Sequence, residues 1–151
     1  HPEETGPNIF APSDYSVTIE DSALAEKDYI LGNLDDDSIV ILDCRTPAEF
    51  CGDDVRSARG GHIPGAVNFD WMLAIDRDRN FRLKASDEIT AMLTERGVTA
   101  DKEIIAHCQT HHRSSHTYMV LKSLGYTNIK GYDGSWSEWG NDPDVPIELG
   151  T

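Results

Sequence analysis

Residues 103–115 read Glu-Ile-Ile-Ala-His-Cys-Gln-Thr-His-His-Arg-Ser-Ser, an apolar run followed by a polar loop. The apolar run predicts a buried β-strand, because about four to eight apolar residues in succession are typical of a strand covered on both faces. A helical pattern begins at Ser114, six residues beyond Cys108, and runs to about Leu124. The order strand, tight loop, helix places Cys108 at the C-terminal end of a strand, where parallel sheets bind their ligands.

The loop that follows this strand has the composition of an anion site around a thiol. Its backbone N–H groups and the N-terminus of the following helix converge on one point, which stabilises a thiolate and binds an anion. Arg113 is unfavourable at a helix N-terminus unless an anion lies beside it. His111 and His112 add positive potential when they are protonated. Most free cysteines are small buried core residues, but the surrounding cations favour a reactive nucleophile at Cys108.

The rest of the chain alternates strand and helix patterns. Residues 38–42 are an apolar, β-branched run typical of a central parallel strand, and Thr46-Pro47-Ala48-Glu49 is a capping box with proline in the first helical turn. The alternation predicts an α/β domain over residues 18–151, a parallel sheet with helices on both faces, after an extended lead-in of residues 1–17. We also predict helices over 18–33 and 87–96 (the latter capped by Ser86), short strands over 66–68 and 127–130, and a helical turn over 135–139.

Composition argues against several classes of partner. The 151 residues carry 27 acidic and 13 basic side chains, a net charge of −14, which argues against a nucleic-acid partner and against an anionic membrane. No apolar run in the sequence approaches the length of a membrane span. An anionic substrate must therefore be attracted locally, by the Cys108 loop.

The three cysteines form neither a disulfide framework nor a metal pattern. Cys44 ends a buried strand and Cys51 lies in a short helix, so we interpret both as structural. The histidines of residues 107–116 have no cysteine or carboxylate at zinc-like spacing, and we predict no metal and no cofactor. Free thiols favour a reducing compartment, which indicates the cytoplasm. Because we expect the chain to begin after its natural N-terminus, an extracytoplasmic location stays open.

Loop length separates two cysteine chemistries. Cysteine phosphatases have one residue more between the cysteine and the arginine of their loop, which makes a ring wide enough for a phosphoryl group. Here four residues separate Cys108 from Arg113. The tighter ring favours a sulfur atom over a tetrahedral phosphate.

Four segments, in this order, resemble the signatures of the rhodanese (thiosulfate sulfurtransferase) family. Residues 42–50, Leu-Asp-Cys-Arg-Thr-Pro-Ala-Glu-Phe, are similar to the family's Asp-x-Arg strand end, and residues 61–68, Gly-His-Ile-Pro-Gly-Ala-Val-Asn, to its second signature. Residues 107–114 stand where the active-site loop belongs. Residues 131–140, Gly-Tyr-Asp-Gly-Ser-Trp-Ser-Glu-Trp-Gly, match the C-terminal signature of the catalytic half of two-domain members. The match spans roughly residues 18–147, nearly the whole chain.

The resemblance implies a three-layer fold with a five-stranded parallel sheet, and a double-displacement reaction. Cys108 would attack the sulfane sulfur of thiosulfate, release sulfite, and pass the sulfur from a persulfide to cyanide or a thiol acceptor. From the residues alone, Arg45 either pairs with Asp43 or binds a ligand; the resemblance implies that it helps to hold the anionic donor. The other substrate-binding residues that we assign are those of the loop: Gln109, Thr110, His111, His112 and Arg113.

Two features distinguish this chain from the well-studied members. Its loop, Gln-Thr-His-His-Arg, is cationic and lacks glycine, which favours thiosulfate over 3-mercaptopyruvate as the donor. The inactive N-terminal copy of two-domain members is not in this sequence, so two alternatives stay open: a single-domain enzyme, or a catalytic half that is cut from or associated with a companion rhodanese-like domain. A domain half would expose apolar surface around the loop, which makes self-association a further alternative. Two alternative functions stay open: a non-catalytic module that carries or senses sulfur or binds a partner, and a cysteine phosphatase or arsenate reductase.

Overall fold

The structure, a computed structural model, describes Gly6, residues 11–18 and residues 21–150, and the described residues of the predicted lead-in are exposed. None of the helices in this described part of the chain has both the length and the apolar character needed to cross a bilayer. The strands are β1 (Ile39–Asp43), β2 (Val67–Asn68), β3 (Ile75–Asp76), β4 (Arg82–Leu83), β5 (Glu103–His107) and β6 (Ile129–Gly131). The helices are α1 (Lys27–Leu31), α2 (Pro47–Cys51), α3 (Ser86–Thr94), α4 (His112–Ser123) and α5 (Ser135–Trp139), with short 3-10 turns at Asp21–Ala23 and Trp71–Ala74.

The central sheet consists of parallel strands in the order β2-β1-β5-β6. β1 and β5 pair along their whole length, with Asp43 opposite His107. The N–H of Cys44 donates to the carbonyl of His107 at 2.8 Å, so Cys44 and Cys108 follow the ends of neighbouring strands. β3 and β4 form a separate antiparallel pair, which the sequence analysis did not predict.

Side chains of the central strands alternate between two cores, which confirms the expected sheet with helices on both faces. Val40, Leu42 and Ile104 belong to a core closed by α3 and α4. Ile41 and Ile105 belong to the opposite core, closed by α1 and by the tryptophans of α5. Burying each of these side chains stabilises the fold by about 1.5–3 kcal/mol. The apolar runs of β1 and β5 therefore hold the sheet between its two helix layers.

The five-strand count implied by the resemblance is not confirmed, because the parallel sheet of the described residues has four strands. Beside β6, Leu24 makes a single parallel bridge to Gly131, and the N–H of Ala25 donates to the carbonyl of Gly131 at 2.9 Å. A longer fifth strand does not form here, since β6 itself ends at Gly131 and helix α1 begins three residues after Leu24.

The helix predicted over residues 18–33 is wrong in its extent. Helix α1 covers only Lys27–Leu31, and a 3-10 turn and the bridge to β6 precede it. Residues 19 and 20 of the prediction lie outside the described residues. Ala25 on the bridged segment and Ile30 on α1 are buried in the same core, whereas Leu24, Tyr29 and Leu31 are exposed, so the apolar residues of this segment do not form one buried helix face.

Helix α2 begins at the predicted capping box. The Thr46 hydroxyl accepts a hydrogen bond from the N–H of Glu49 at 3.3 Å, and the Glu49 carboxylate accepts one from the N–H of Thr46 at 3.0 Å. Pro47 is the first helical residue. Gly52 ends the helix with a φ of 91°, a left-handed conformation that glycine adopts without strain.

The other predicted elements exist, with shifted ends. Helix α3 starts one residue earlier than predicted, and Ser86 is its first residue, not its cap. Ala85 takes the N-cap position in an extended conformation, and no side-chain cap forms because alanine has no hydrogen-bonding side chain. Helix α4 starts at His112, two residues before the predicted Ser114, and α5 has the predicted bounds.

Candidate active site

Cys108 directly follows β5 and lies in the core beneath α4, with 1% of its surface exposed. Its carbonyl accepts from the N–H of Trp136 at 2.9 Å, and the carbonyl of Gln109 accepts from the N–H of Ser137 at 2.9 Å. The N–H of Cys108 donates to the hydroxyl of Ser135 at 3.4 Å. The start of α5 therefore fixes the first two peptide units of the loop.

The next N–H groups of the loop have no such partner. Among the described residues, the backbone N–H groups of residues 109–113 donate no hydrogen bond to another protein group. They belong to the loop and to the first turn of the twelve-residue helix α4, whose N-terminus carries a partial positive charge. This group of unpaired donors beside Cys108 is the predicted anion site.

His111 forms the corner of the loop and turns its ring inward. Its φ of 64° lies in the left-handed region, and Nδ1 lies 2.8 Å from the Ser114 hydroxyl. The imidazole packs over Gly131 of β6. Burial lowers the pKa of His111, so the ring is mainly neutral at pH 7 and does not supply the positive charge that the sequence analysis expected of it.

Arg113 is the second residue of α4, and its side chain binds a carboxylate. Its two terminal nitrogens donate to Glu49 of α2 at 2.6 and 2.8 Å, and 21% of the Arg113 side chain is exposed. Hydrogen bonds to Glu49 raise the pKa of Arg113, and the neighbouring Cys108 side chain raises it further. The guanidinium is therefore close enough to the sulfur to stabilise negative charge there.

Arg45 does not reach the open face of the loop. It is 1% exposed, and its guanidinium binds the Asp43 carboxylate at 2.5 Å and the Gly61 carbonyl at 2.7 Å. The ring of Trp136 covers it, 4.4 Å from the guanidinium carbon. Of the two roles considered from the residues, the structure shows the pairing with Asp43, and this placement does not support the donor contact implied by the resemblance.

The three remaining loop residues assigned to substrate binding lie at the rim. Gln109 donates from Nε2 to the Ser57 hydroxyl at 3.1 Å, which ties the loop to the segment after α2. Thr110 and His112 are exposed, and the Thr110 hydroxyl lies 3.5 Å from Nδ1 of His112. Thr110 and His112 are thus free to contact a small ligand above Cys108.

The other cysteines and His107 do not take part in the site. Burial raises the pKa of Cys44, which keeps that thiol protonated and unreactive. Cys51 lies at the end of α2. His107 is fully buried, and burial lowers its pKa. Within the described residues, no three His, Cys, Asp or Glu side chains are grouped so that they could hold a metal ion.

Sequence reasoning missed two residues of the site. Glu49 was assigned only to the capping box, and Ser135 had no role of its own. Ser135 has a φ of 52° and bridges two buried groups, donating to the Tyr132 carbonyl at 2.8 Å and accepting from Cys108. Its place directly after Gly134 in the C-terminal signature was the only available signal.

A cavity of about 390 Å³ lies elsewhere, near the start of β1, and is lined in part by Asp36, Ile39 and Arg96. It contains none of the residues assigned to the site. The assigned residues lie at the opposite, C-terminal ends of the strands.

The fold and this loop define a rhodanese-like protein, and the comparison with known families agrees. The family model of the rhodanese-like domain matches residues 26–142. The chain belongs to the rhodanese family.

Two curated relatives are thiosulfate sulfurtransferases. The chain is 51% identical to that of Azotobacter vinelandii over 134 residues, which are 89% of this chain and 49% of the relative. It is 47% identical to that of Pseudomonas aeruginosa over 133 residues, 88% of this chain and 48% of the relative. The chain therefore spans about half the length of these relatives.

A solved structure with a similar fold is an anaerobic ergothioneine biosynthesis enzyme from Chlorobium limicola, in complex with its natural substrate trimethyl histidine. The TM-score is 0.79 at 24% identity, over 86% of this chain and 32% of that chain. At this level of identity, the likeness concerns the fold alone.

Proposed function

We propose that this chain is a sulfurtransferase, which moves the sulfane sulfur of thiosulfate to a thiophilic acceptor through a persulfide on Cys108. The observation that carries the proposal is the set of unpaired N–H groups of residues 109–113 beside Cys108 at the end of β5. These donors suit a sulfur anion in the loop, whether it is the thiolate or the persulfide. The names of the two curated relatives support the same reaction.

The reaction needs two displacements at sulfur. The Cys108 thiolate attacks the outer sulfur of thiosulfate, the sulfur–sulfur bond of the donor breaks, and sulfite leaves with the electron pair. Cyanide or a thiolate then attacks the terminal sulfur of the persulfide. The bond to Sγ breaks, and the electron pair returns to the Cys108 thiolate. The negative charge stays next to the same N–H donors and Arg113 throughout, so the site needs no rearrangement between the two steps.

The geometry also bears on the donor. Arg45 is buried and paired, and Arg113 is occupied by Glu49. The loop N–H groups, with Thr110 and His112 at the rim, remain to bind the sulfonate part of thiosulfate. A compact dianion suits such a cluster of donors better than a carboxylate with an extended chain. Thiosulfate is therefore the proposed donor, in preference to 3-mercaptopyruvate.

The partners and the cellular location of the chain are also proposed. Relatives of twice the length suggest that a companion domain, or a second copy of this chain, covers the rim of the loop in the functional protein. Three cysteines without a disulfide among them fit a reducing compartment. We accordingly propose a cytoplasmic protein.

The test is cyanide-dependent thiocyanate formation from thiosulfate. We expect turnover with the wild-type chain, complete loss in Cys108→Ser, and retention in Cys51→Ser, a matched change at a cysteine outside the site. Full turnover of Cys108→Ser would refute the assignment. Hydrolysis of an aryl phosphate above background would support the phosphatase alternative. A sulfur adduct on Cys108 that passes to no acceptor would support a carrier.

A further inference from the structure

Glu49 lies beneath the rim of the site with its carboxylate completely buried. Oε2 accepts hydrogen bonds from Nη1 of Arg113 at 2.6 Å, the Thr46 hydroxyl at 2.9 Å and the Thr46 N–H at 3.0 Å. Oε1 accepts from Nη2 of Arg113 at 2.8 Å. The carboxylate thus joins the first turn of α2 to the first turn of α4, which are 64 residues apart in the chain.

Capping of α2 does not account for this arrangement. A capping box needs one acceptor oxygen and works with an exposed side chain, and glutamine serves as well as glutamate. Here the carboxylate is buried and bound at both oxygens by one guanidinium. Burying a carboxylate costs free energy unless it is paired and hydrogen-bonded. Such a bidentate pair also fixes the plane of the arginine, which a single contact does not.

Arg113 needs such a partner because of its position. It is the second residue of α4, where the helix dipole repels a cation. Without a carboxylate to hold it, the guanidinium would move outward into solvent. Arg56, which is 52% exposed, approaches the same carboxylate from outside at 3.6 Å, so it does not replace Arg113 on the inner side.

From this geometry we infer that Glu49 is a positioning residue for sulfur transfer, which holds the Arg113 guanidinium beside Cys108. The inference rests on the proposed function for its kinetic consequence, because Arg113 would stabilise negative charge on the sulfur of Cys108. Glu49 touches neither the sulfur nor the donor and acts through Arg113.

The test variant is Glu49→Gln, which keeps an oxygen for the cap and removes the charge. The matched control is Glu103→Gln. Glu103 makes an ion pair of similar length with Lys130, 2.8 Å, accepts from the Tyr29 hydroxyl, and lies at the other end of β5 from Cys108. Both changes remove one carboxylate of a partly buried pair, so a general loss of stability affects both.

Two measurements distinguish a positioning role of Glu49 from a role in which Glu49 only neutralises the charge of Arg113. We expect kcat for thiosulfate to fall at least about tenfold in Glu49→Gln, with KM changed by less than about threefold, because the reacting groups are misplaced more than the donor is weakened. The second readout is the ratio of alkylation rates of Cys108 by anionic iodoacetate and neutral iodoacetamide, followed on the Cys108 peptide by mass spectrometry. If Arg113 leaves the sulfur, this ratio falls.

A rise of the ratio would overturn the inference, since it would mean that Arg113 stays in place and Glu49 only offsets its charge. A kcat within about twofold of the wild-type value would overturn it as well. Glu49→Asp keeps the charge on a shorter side chain; it should fall between wild type and Glu49→Gln in both readouts, and it serves as the test if Glu49→Gln does not fold. Alkylation needs no sulfur donor. If the wild-type chain shows no turnover, the proposed function is refuted, but the ratio of alkylation rates still tests whether Glu49 positions Arg113.

Discussion

Gly131 of β6 lies directly against the imidazole of His111, so that a Cβ built on Gly131 would fall 2.6 Å from Cε1 of the ring. The same ring is fixed on its other side by the Ser114 hydroxyl, 2.8 Å from Nδ1. His111 carries the left-handed φ that turns the Cys108 loop into α4. The absence of a side chain at position 131 therefore shapes the loop, although position 131 is part of the sheet.

Replacing Gly131 should disturb the loop more than the sheet. We expect Gly131→Ala to cost about 1–3 kcal/mol in the free energy of unfolding, because the added methyl overpacks the site, and to lower turnover of thiosulfate. Urea denaturation and the thiocyanate assay measure the two effects. In a His111→Ala background the clash is absent, so Gly131→Ala should cost clearly less there; additive effects would contradict the contact.

Ser135 offers a second test of how α5 supports the loop. Ser135→Ala leaves the N–H of Cys108 and the carbonyl of Tyr132 without this partner, which should cost about 1–3 kcal/mol. Ser135→Gly loses the same hydroxyl but tolerates the φ of 52°, so it should be more stable than the alanine variant by about 1 kcal/mol.

Turnover should fall to a similar extent in both Ser135 variants, because both lose the bridge to Cys108. Ser137→Ala is the control: among the described residues its hydroxyl bonds only to Gly134, at 2.7 Å, and its backbone N–H still binds Gln109. Wild-type turnover in Ser135→Ala would show that the backbone bonds of α5 suffice to hold the loop.

Local signals accounted for most of the fold. The apolar runs of β1 and β5 and the capping box of α2 lie within a few residues each, so the sequence alone predicted these elements. The β3–β4 pair was missed because its strands are two residues long and none of their residues is fully buried. The helix over 18–33 was overextended because the apolar residues before Lys27 belong to a 3-10 turn and to the segment bridged to β6, and a sequence does not show such a distant strand partner.

The sequence predicted the cysteine at the centre of the site but not the residues that hold Arg113 and His111 in place. The loop sequence identified Cys108, since strand, cations and helix start are contiguous. The partner of Arg113 is 64 residues away, and nothing in the sequence distinguishes a capping glutamate from a capping glutamate that also binds a guanidinium. The inward ring of His111 depends on Gly131, which belongs to another strand.

Arg45 provides a prediction in which stability and binding diverge. Arg45→Ala leaves Asp43 buried without its guanidinium, which should cost about 3–5 kcal/mol. Arg56→Ala, at an exposed arginine paired with Asp54, should cost less than about 1 kcal/mol. Denaturation curves measure both. For Arg45→Ala, we expect an unchanged KM for thiosulfate in the protein that remains folded. A large rise in KM with unchanged stability would show that Arg45 does contact the donor.

The carboxylate of Glu49 should make stability depend on pH in a defined window. Burial opposes its ionisation, but hydrogen bonds from Arg113 and Thr46 outweigh burial and lower the pKa of Glu49 from 4.5 to about 2. A carboxyl whose pKa is lowered on folding stabilises the protein above its unfolded value and loses that contribution as the pH falls through the folded value. The contribution is on the order of 3 kcal/mol.

Other carboxyl groups titrate in the same range, so the measurement is a difference. We expect the free energy of unfolding of the wild type to exceed that of Glu49→Gln by a constant amount above about pH 5. The excess should then shrink steadily toward pH 2, because only the wild type gains a proton at position 49. The same difference in the free energy of unfolding, measured for Glu103→Gln, serves as the comparison. If the difference between wild type and Glu49→Gln stays constant down to pH 2, the buried pair with Arg113 does not hold the carboxylate ionised.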